Sequence, residues 1–174
     1  MNGSFAATSV PSDLAVNLEF ERVDYADCYA ATLPGHRSSP TVDRLARGFF
    51  SDAMPGWIRR IVGLQERCAR PSEKDLSWSP VDPRDPSPVV PGQWVGPWLA
   101  VARTATEIVF REDSHHLDFA FSLNLRETEG SVRIEATTLV RFRNLAGKLY
   151  FAPVRHFHRR LVPAHMESLL RLAA

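Results

Sequence analysis

Two stretches in the second half of the chain alternate between apolar and polar residues over nine or more positions. In the first, Leu117, Phe119, Phe121, Leu123 and Leu125 share one face, while His116, Asp118, Ala120, Ser122 and Asn124 share the other. In the second, Val132, Ile134, Ala136, Thr138, Val140 and Phe142 lie opposite Arg133, Glu135, Thr137, Leu139 and Arg141. A period of two is that of a half-buried strand. The apolar positions are odd in one run and even in the other, so a hairpin that buries both sets needs a loop of even length. The segment "ETEG" (127–130) supplies four residues and ends on a glycine suited to left-handed backbone. This register sets Arg126 opposite Ser131, Leu125 opposite Val132 and Phe119 opposite Thr138. On the reverse face it sets His116 opposite Arg141, with Asp118 one diagonal step away.

"WLAVART" and "TEIVFRE" read as two further strands before this hairpin. Upstream, an edge strand is expected around Val16 to Val23, and residues 1–13, small and polar, are expected to be flexible. Between these, Val42, Leu45, Ala46, Phe49, Phe50 and Ala53 recur at helical spacing, with Ser39 as cap, Pro40 at the first position and Asp43 in the first turn. After a Pro55-Gly56 joint, Trp57, Ile58, Ile61, Val62 and Leu64 predict a second helix packed beside the first. Seven prolines then fall between Pro71 and Pro97, which excludes a regular helix or central strand. Trp78, Trp94 and Trp98 punctuate the stretch, so 71–97 reads as a loop pinned by its tryptophans, either covering a cavity or running over the surface. The chain closes in a long helix with Phe157, Leu161, Ala164, Ser168 and Leu172 in one stripe, Leu169 beside them and a kink at Pro163. Helices, then an antiparallel meander, then a terminal helix define an α+β domain spanning 14–174.

Composition adds exclusions. With 174 residues, 44% of them hydrophobic, the chain holds one domain with a proper core. A formal net charge of +1 offers nucleic acid no electrostatic footprint. Cys28 and Cys68 stand outside any CxxC spacing, so neither a disulfide framework nor a zinc knuckle is expected. The N-terminus lacks a secretory pattern and no apolar run spans a bilayer, so the setting expected is cytoplasmic, without membrane contact.

The densest run of chemistry-bearing residues is "DSHHLDFAF" (113–121). His116 and Asp118 have the i, i+2 spacing of strand metal ligands, but a third ligand is missing and no metal is expected. They also have the makings of a base and its orienter, without a Gly-flanked serine or a cysteine nucleophile beside them. A structural ion pair of Asp118 with Arg141, with His116 alongside, fits the strand pattern best. On the last helix His156 and His158 point about 200° apart, whereas His158 and His165 share a face, so His158 is the better candidate for a polar group at a cavity rim.

These segments together resemble a known family. His116-Leu117-Asp118-Phe119, the strand Thr138-Leu139-Val140, then Asn144, Gly147, Tyr150 and the pair Phe157-His158 are similar to the recurring features of domain of unknown function 2867. The resemblance implies the helix-grip fold of START-like, polyketide cyclase-like proteins, in which a curved antiparallel sheet wraps a long C-terminal helix around an apolar cavity. Its walls would be Phe119, Phe121, Leu123, Ile134, Val140 and Phe142, with Phe157 and Leu161 from the helix and Tyr150 and His158 as orienting groups. Phe49, Phe50 and Trp57 would close one end. The family has no established activity and this chain has no GxGxxG, so no cofactor is expected. Three functions follow as expectations: a module binding a small hydrophobic or aromatic ligand, a cyclase- or hydrolase-like enzyme with a histidine as acid/base, or an accessory domain that docks on a separate oxidoreductase through its tryptophan-rich loop. A protein partner or a homodimer is compatible with all three.

Overall fold

The structure is a computed structural model that describes residues 5–34, 40–50, 81–82, 84–96, 98–128 and 130–173. The helix expected over 57–64, its Pro55-Gly56 joint, Ser39, Cys68 and Trp78 lie outside the described residues. Among the described residues seven strands form one antiparallel sheet: β1 Phe5–Thr8, β2 Tyr25–Pro34, β3 Trp94–Val95, β4 Trp98–Arg103, β5 Glu107–Asp113, β6 Leu117–Thr128 and β7 Ser131–Phe142. Their order across the sheet is β1-β2-β7-β6-β5-β4-β3. A short helix, α1 (Val42–Phe50), and a long one, α2 (Leu145–Ala173), pack on its inner face. The architecture is the expected α+β one, a curved antiparallel sheet with a long C-terminal helix.

The hairpin forms with the predicted faces but a shorter loop. Thr128 pairs with Ser131, leaving two residues in the turn, and Gly130 takes the positive φ (71°) that such a turn requires. The register therefore slides by two from the four-residue expectation, and Asp118, not His116, lies directly opposite Arg141. Parity survives a slip of two, so the apolar sets still share the inner face. Leu123, Ile134 and Ala136 are fully buried there, beside Phe110 and Phe121.

Residues 16–23 are not an edge strand. Ala15–Leu18 form a single 3-10 turn, and the strand follows at Tyr25–Pro34 in the interior of the sheet, between β1 and β7. Leu14, Val16 and Phe20 instead cover the outer face, closing a second small core with Val109, Ala120 and Leu139. Glu107, buried on that face, accepts the backbone N–H of Ala15 (2.6 Å) and Val16 (3.2 Å), two donors that a helix start leaves without partners. The guanidinium groups of Arg111 (5.2 Å) and Arg141 (5.3 Å) both lie over the Phe20 ring. Residues 5–8, expected to be loose, pair with β2 as β1.

The first helix starts later than predicted. Thr41 Oγ1 accepts the N–H of Arg44, so Thr41 is the cap, and the helix runs from Val42. Its Asp43 accepts from Arg103 through both oxygens (2.9 and 2.8 Å) and from the Val89 N–H (2.8 Å), while Arg47 donates to the Ser87 carbonyl. One turn of α1 thus ties down the described end of the proline-rich stretch, where Val89 and Val95 are buried. Trp98 stacks on Phe119 at 4.9 Å, whereas Trp94 is 49% exposed.

Candidate functional site

Helix α2 meets the sheet through Phe151, His158, Val162, His165, Met166 and Leu169, all buried. This stripe lies about 100° around the helix from the one predicted, a rotation of one residue. Phe157 consequently faces outward and is 46% exposed. Two histidines interrupt the true stripe, which is why its apolar spacing reads poorly in the sequence. Their burial is the central fact of the site.

His158 sits over β2 and β7. Asp27 on β2 pairs in register with Thr138 on β7, so both side chains project toward the helix. His158 Nε2 lies 3.2 Å from Asp27 Oδ1 and 3.0 Å from Thr138 Oγ1. Tyr25, two residues before Asp27 and hence on the same face, donates its hydroxyl to Asp27 Oδ2 at 2.5 Å. Burial pushes the Asp27 carboxyl up, but the hydrogen bond and charge of His158, with Tyr25 and Thr138, outweigh it and hold the group below the ordinary carboxylate range. The Tyr25 phenol is raised by burial first and by the neighbouring carboxylate second. The surroundings are aromatic: Phe151 meets Tyr25 edge-on at 4.9 Å, and Phe119 lies edge-on to His158 at 6.4 Å. Such a cluster can present a fixed anion and an imidazole to a ligand, and an imidazole held by a carboxylate is equipped to move a proton.

His165, two turns along the same face, is 6% exposed, and neither ring nitrogen has a hydrogen-bond partner among the described residues. Phe49 from α1 packs edge-on against it at 4.9 Å. Burial alone lowers its pKa from 6.5 to about 4. The folded chain therefore binds fewer protons than the unfolded chain between those values, so stability falls as pH drops from 6.5 toward 4. The expected loss is about 3 kcal/mol at pH 4 relative to pH 7. Urea melts of wild type and His165→Phe at the two pH values check this; equal pH sensitivity in both would refute it.

The residues singled out in "DSHHLDFAF" fall in two other places. Asp118 is fully buried on the outer face, where Arg141 donates to it twice (2.8 and 2.6 Å) and Arg143 once (2.6 Å). Burial opposes its charge, but the two arginines outweigh that and keep its carboxyl below the usual range. It is a structural ion pair. The His116 ring is not among its partners: the two-residue slip sets His116 opposite Arg143, whose backbone N–H donates to the His116 carbonyl (3.0 Å). It lies in the β5–β6 turn, which Ser114 Oγ closes by bonding both the N–H and the carbonyl of Leu117. Its ring packs edge-on to Tyr150 at 4.8 Å. Asn144 caps α2 by accepting the Gly147 N–H (3.1 Å) and donates to the His115 carbonyl (3.1 Å). His116, Asn144, Gly147 and Tyr150 thus make a joint between this turn and the helix start.

Of the other expected wall residues, Phe121, Leu123, Ile134 and Val140 are buried core on the inner face, and Phe119 and Phe142 are partly buried beside it. Leu161 is half-buried, and Tyr150 is 43% exposed near the start of the helix. Sequence reasoning misses Asp27 and Tyr25. The signal is present in "YADCY", whose alternation puts Tyr25, Asp27 and Tyr29 on one strand face. No group of three potential metal ligands occurs among the described residues, and no described helix is long and apolar enough to cross a membrane.

Compared with known sequences, residues 20–165 match the family model described as "Protein of unknown function (DUF2867)". No curated protein matches. The matched span includes both halves of the inner site, Asp27 with Tyr25 on β2 and His158 with His165 on α2, and on that span the chain belongs to the DUF2867 family.

Proposed function

We propose that the chain is a binding module of the helix-grip, START-like kind, acting in the cytoplasm and holding a small, largely apolar ligand between the inner face of the sheet and α2. One observation carries this reading. An Asp–His pair with a tyrosine and a threonine is set into an aromatic wall, at inner-face positions where packing alone favours hydrocarbon. Binding sites combine an apolar lining with a few convergent polar groups in this way. Nile red titrated into the purified chain, and then displaced by a library of small aromatics and lipids, tests it. Saturation at one site per chain is expected, with His158→Ala weakening the displacing ligand about tenfold to a hundredfold while the circular dichroism spectrum is unchanged. Unsaturable dye uptake, or equal affinity in the variant, would count against the site.

The same pair favours an enzyme as second reading, because Asp27 orients His158 as a general acid/base. The two readings part at Asp27→Asn: a module keeps most of its affinity, whereas an enzyme keeps affinity and loses turnover. A protein partner docking near the exposed Trp94 is compatible with either reading.

A further inference from the structure

His165 has no task in the arrangement just proposed. Its imidazole is more than nine-tenths buried, and both nitrogens lack partners among the described residues. More than nine in ten buried polar groups in folded proteins are hydrogen-bonded, and an unpaired one is a net cost to the fold. Phenylalanine or leucine would fill the same space without that cost. The imidazole faces the same layer as His158, since the two are seven residues apart on one helix, and Phe49, which meets it edge-on, belongs to the apolar cluster that also holds Phe121, Val162 and Met166.

We infer that His165 is a second polar anchor of the inner site, and that it hydrogen-bonds an uncharged hydroxyl carried by an aromatic ligand. This rests on the reading above and narrows it to a ligand class. A neutral imidazole offers one donor and one acceptor, and a hydroxyl can answer either. A carboxylate or phosphate does not fit. Arg47, the buried arginine of α1, donates Nη1 to the Ser87 carbonyl, and its charge is already balanced by an ion pair with Asp85 although Nη2 makes no hydrogen bond, so an anion beside His165 would be a buried charge without a free counterion among the described residues. At the other anchor Asp27 likewise repels anions. A pure hydrocarbon fits sterically but leaves both nitrogens as they are. The ligand is therefore a neutral aromatic alcohol or phenol.

Biphenyl, 4-hydroxybiphenyl and biphenyl-4-carboxylate share a body and differ only in the group presented. Titrated separately by isothermal calorimetry into the full chain, the hydroxyl compound is expected to bind about tenfold tighter than the hydrocarbon, with the carboxylate weakest. In His165→Phe the hydroxyl preference disappears while hydrocarbon affinity stays; in His165→Gln, which keeps a donor and an acceptor, part of the preference returns. The imidazole 15N resonances of His165 in the wild-type chain should shift with 4-hydroxybiphenyl and not with biphenyl, a readout that needs no variant to fold. If all three compounds bind equally, or His165→Phe keeps the preference, this inference is wrong and the binding reading stands. If wild type binds none of the three and no Nile red, both fall together.

Discussion

A chain shortened to residues 21–174 is expected to lose most of its cooperative fold, although among the described residues the deletion removes only one short strand, a single helical turn and their connections. The deleted part carries Leu14, Val16 and Phe20, which are buried against Val109, Ala120 and Leu139 on the outer face. Each buried apolar side chain is worth about 1.5–3 kcal/mol, so three account for roughly 5 kcal/mol or more. The deletion also strips Glu107 of two backbone donors and leaves a buried carboxylate without them. Arg111 and Arg141 lose the Phe20 ring they lie over, and β1 leaves the sheet edge. Domains of this size are typically stable by only about 5–15 kcal/mol, so the sum is comparable with the whole. Urea denaturation followed by tryptophan fluorescence checks it. An unfolding free energy within about 1 kcal/mol of the full chain's would show that the strap at 14–20 contributes little. Because the family match opens at residue 20, a chain cut to those limits would keep Phe20 and lose the other two anchors.

Gly147→Ala is the second large effect, and here two simple arguments give opposite signs. Helix propensity favours alanine over glycine by about 1 kcal/mol. Packing forbids it: a Cβ at this position would stand 2.0 Å from the His116 carbonyl oxygen and 2.9 Å from its carbon. Those are backbone atoms of a tight turn, so the turn or the helix start must move, and the Asn144 cap and the Tyr150–His116 contact move with it. A net loss of about 3 kcal/mol is expected, compared with about 1 kcal/mol for Asn144→Ala, which removes the cap alone. Thermal melts of the two variants side by side decide between the arguments. A Gly147→Ala chain as stable as wild type would mean that the turn yields freely.

The sheet is legible where the strands have one wet face and one dry one. In β6 and β7 alternation names the faces correctly, and only the turn length, which parity leaves open between two and four, comes out wrong. β2 is hidden because Ala26, Ala30 and Ala31 blur its alternation and because an interior strand need not be polar on either side. The strap at 14–20 follows neither period, since its apolar residues reach the sheet from a loop and a single 3-10 turn. The inner polar cluster escapes for a different reason. Asp27 and His158 lie 131 positions apart, and no local pattern relates them until β2 pairs with β7 under the helix. The family resemblance points to His158 and Thr138 but not to what holds them.

The strap has one more consequence, for the order in which the chain assembles. Ala15 and Val16 find their acceptor 92 and 91 positions downstream, and β2 finds its main neighbour in β7, beyond residue 130. Until that part of the chain has been synthesised, β1 and β2 have only each other, and a lone two-stranded pair is marginal in water. Closing loops of this length is slow relative to local contacts. Although the strap is synthesised well before its partners, it is thus among the last segments to be buried, and until they emerge its apolar side chains stay within reach of chaperones or of another nascent copy.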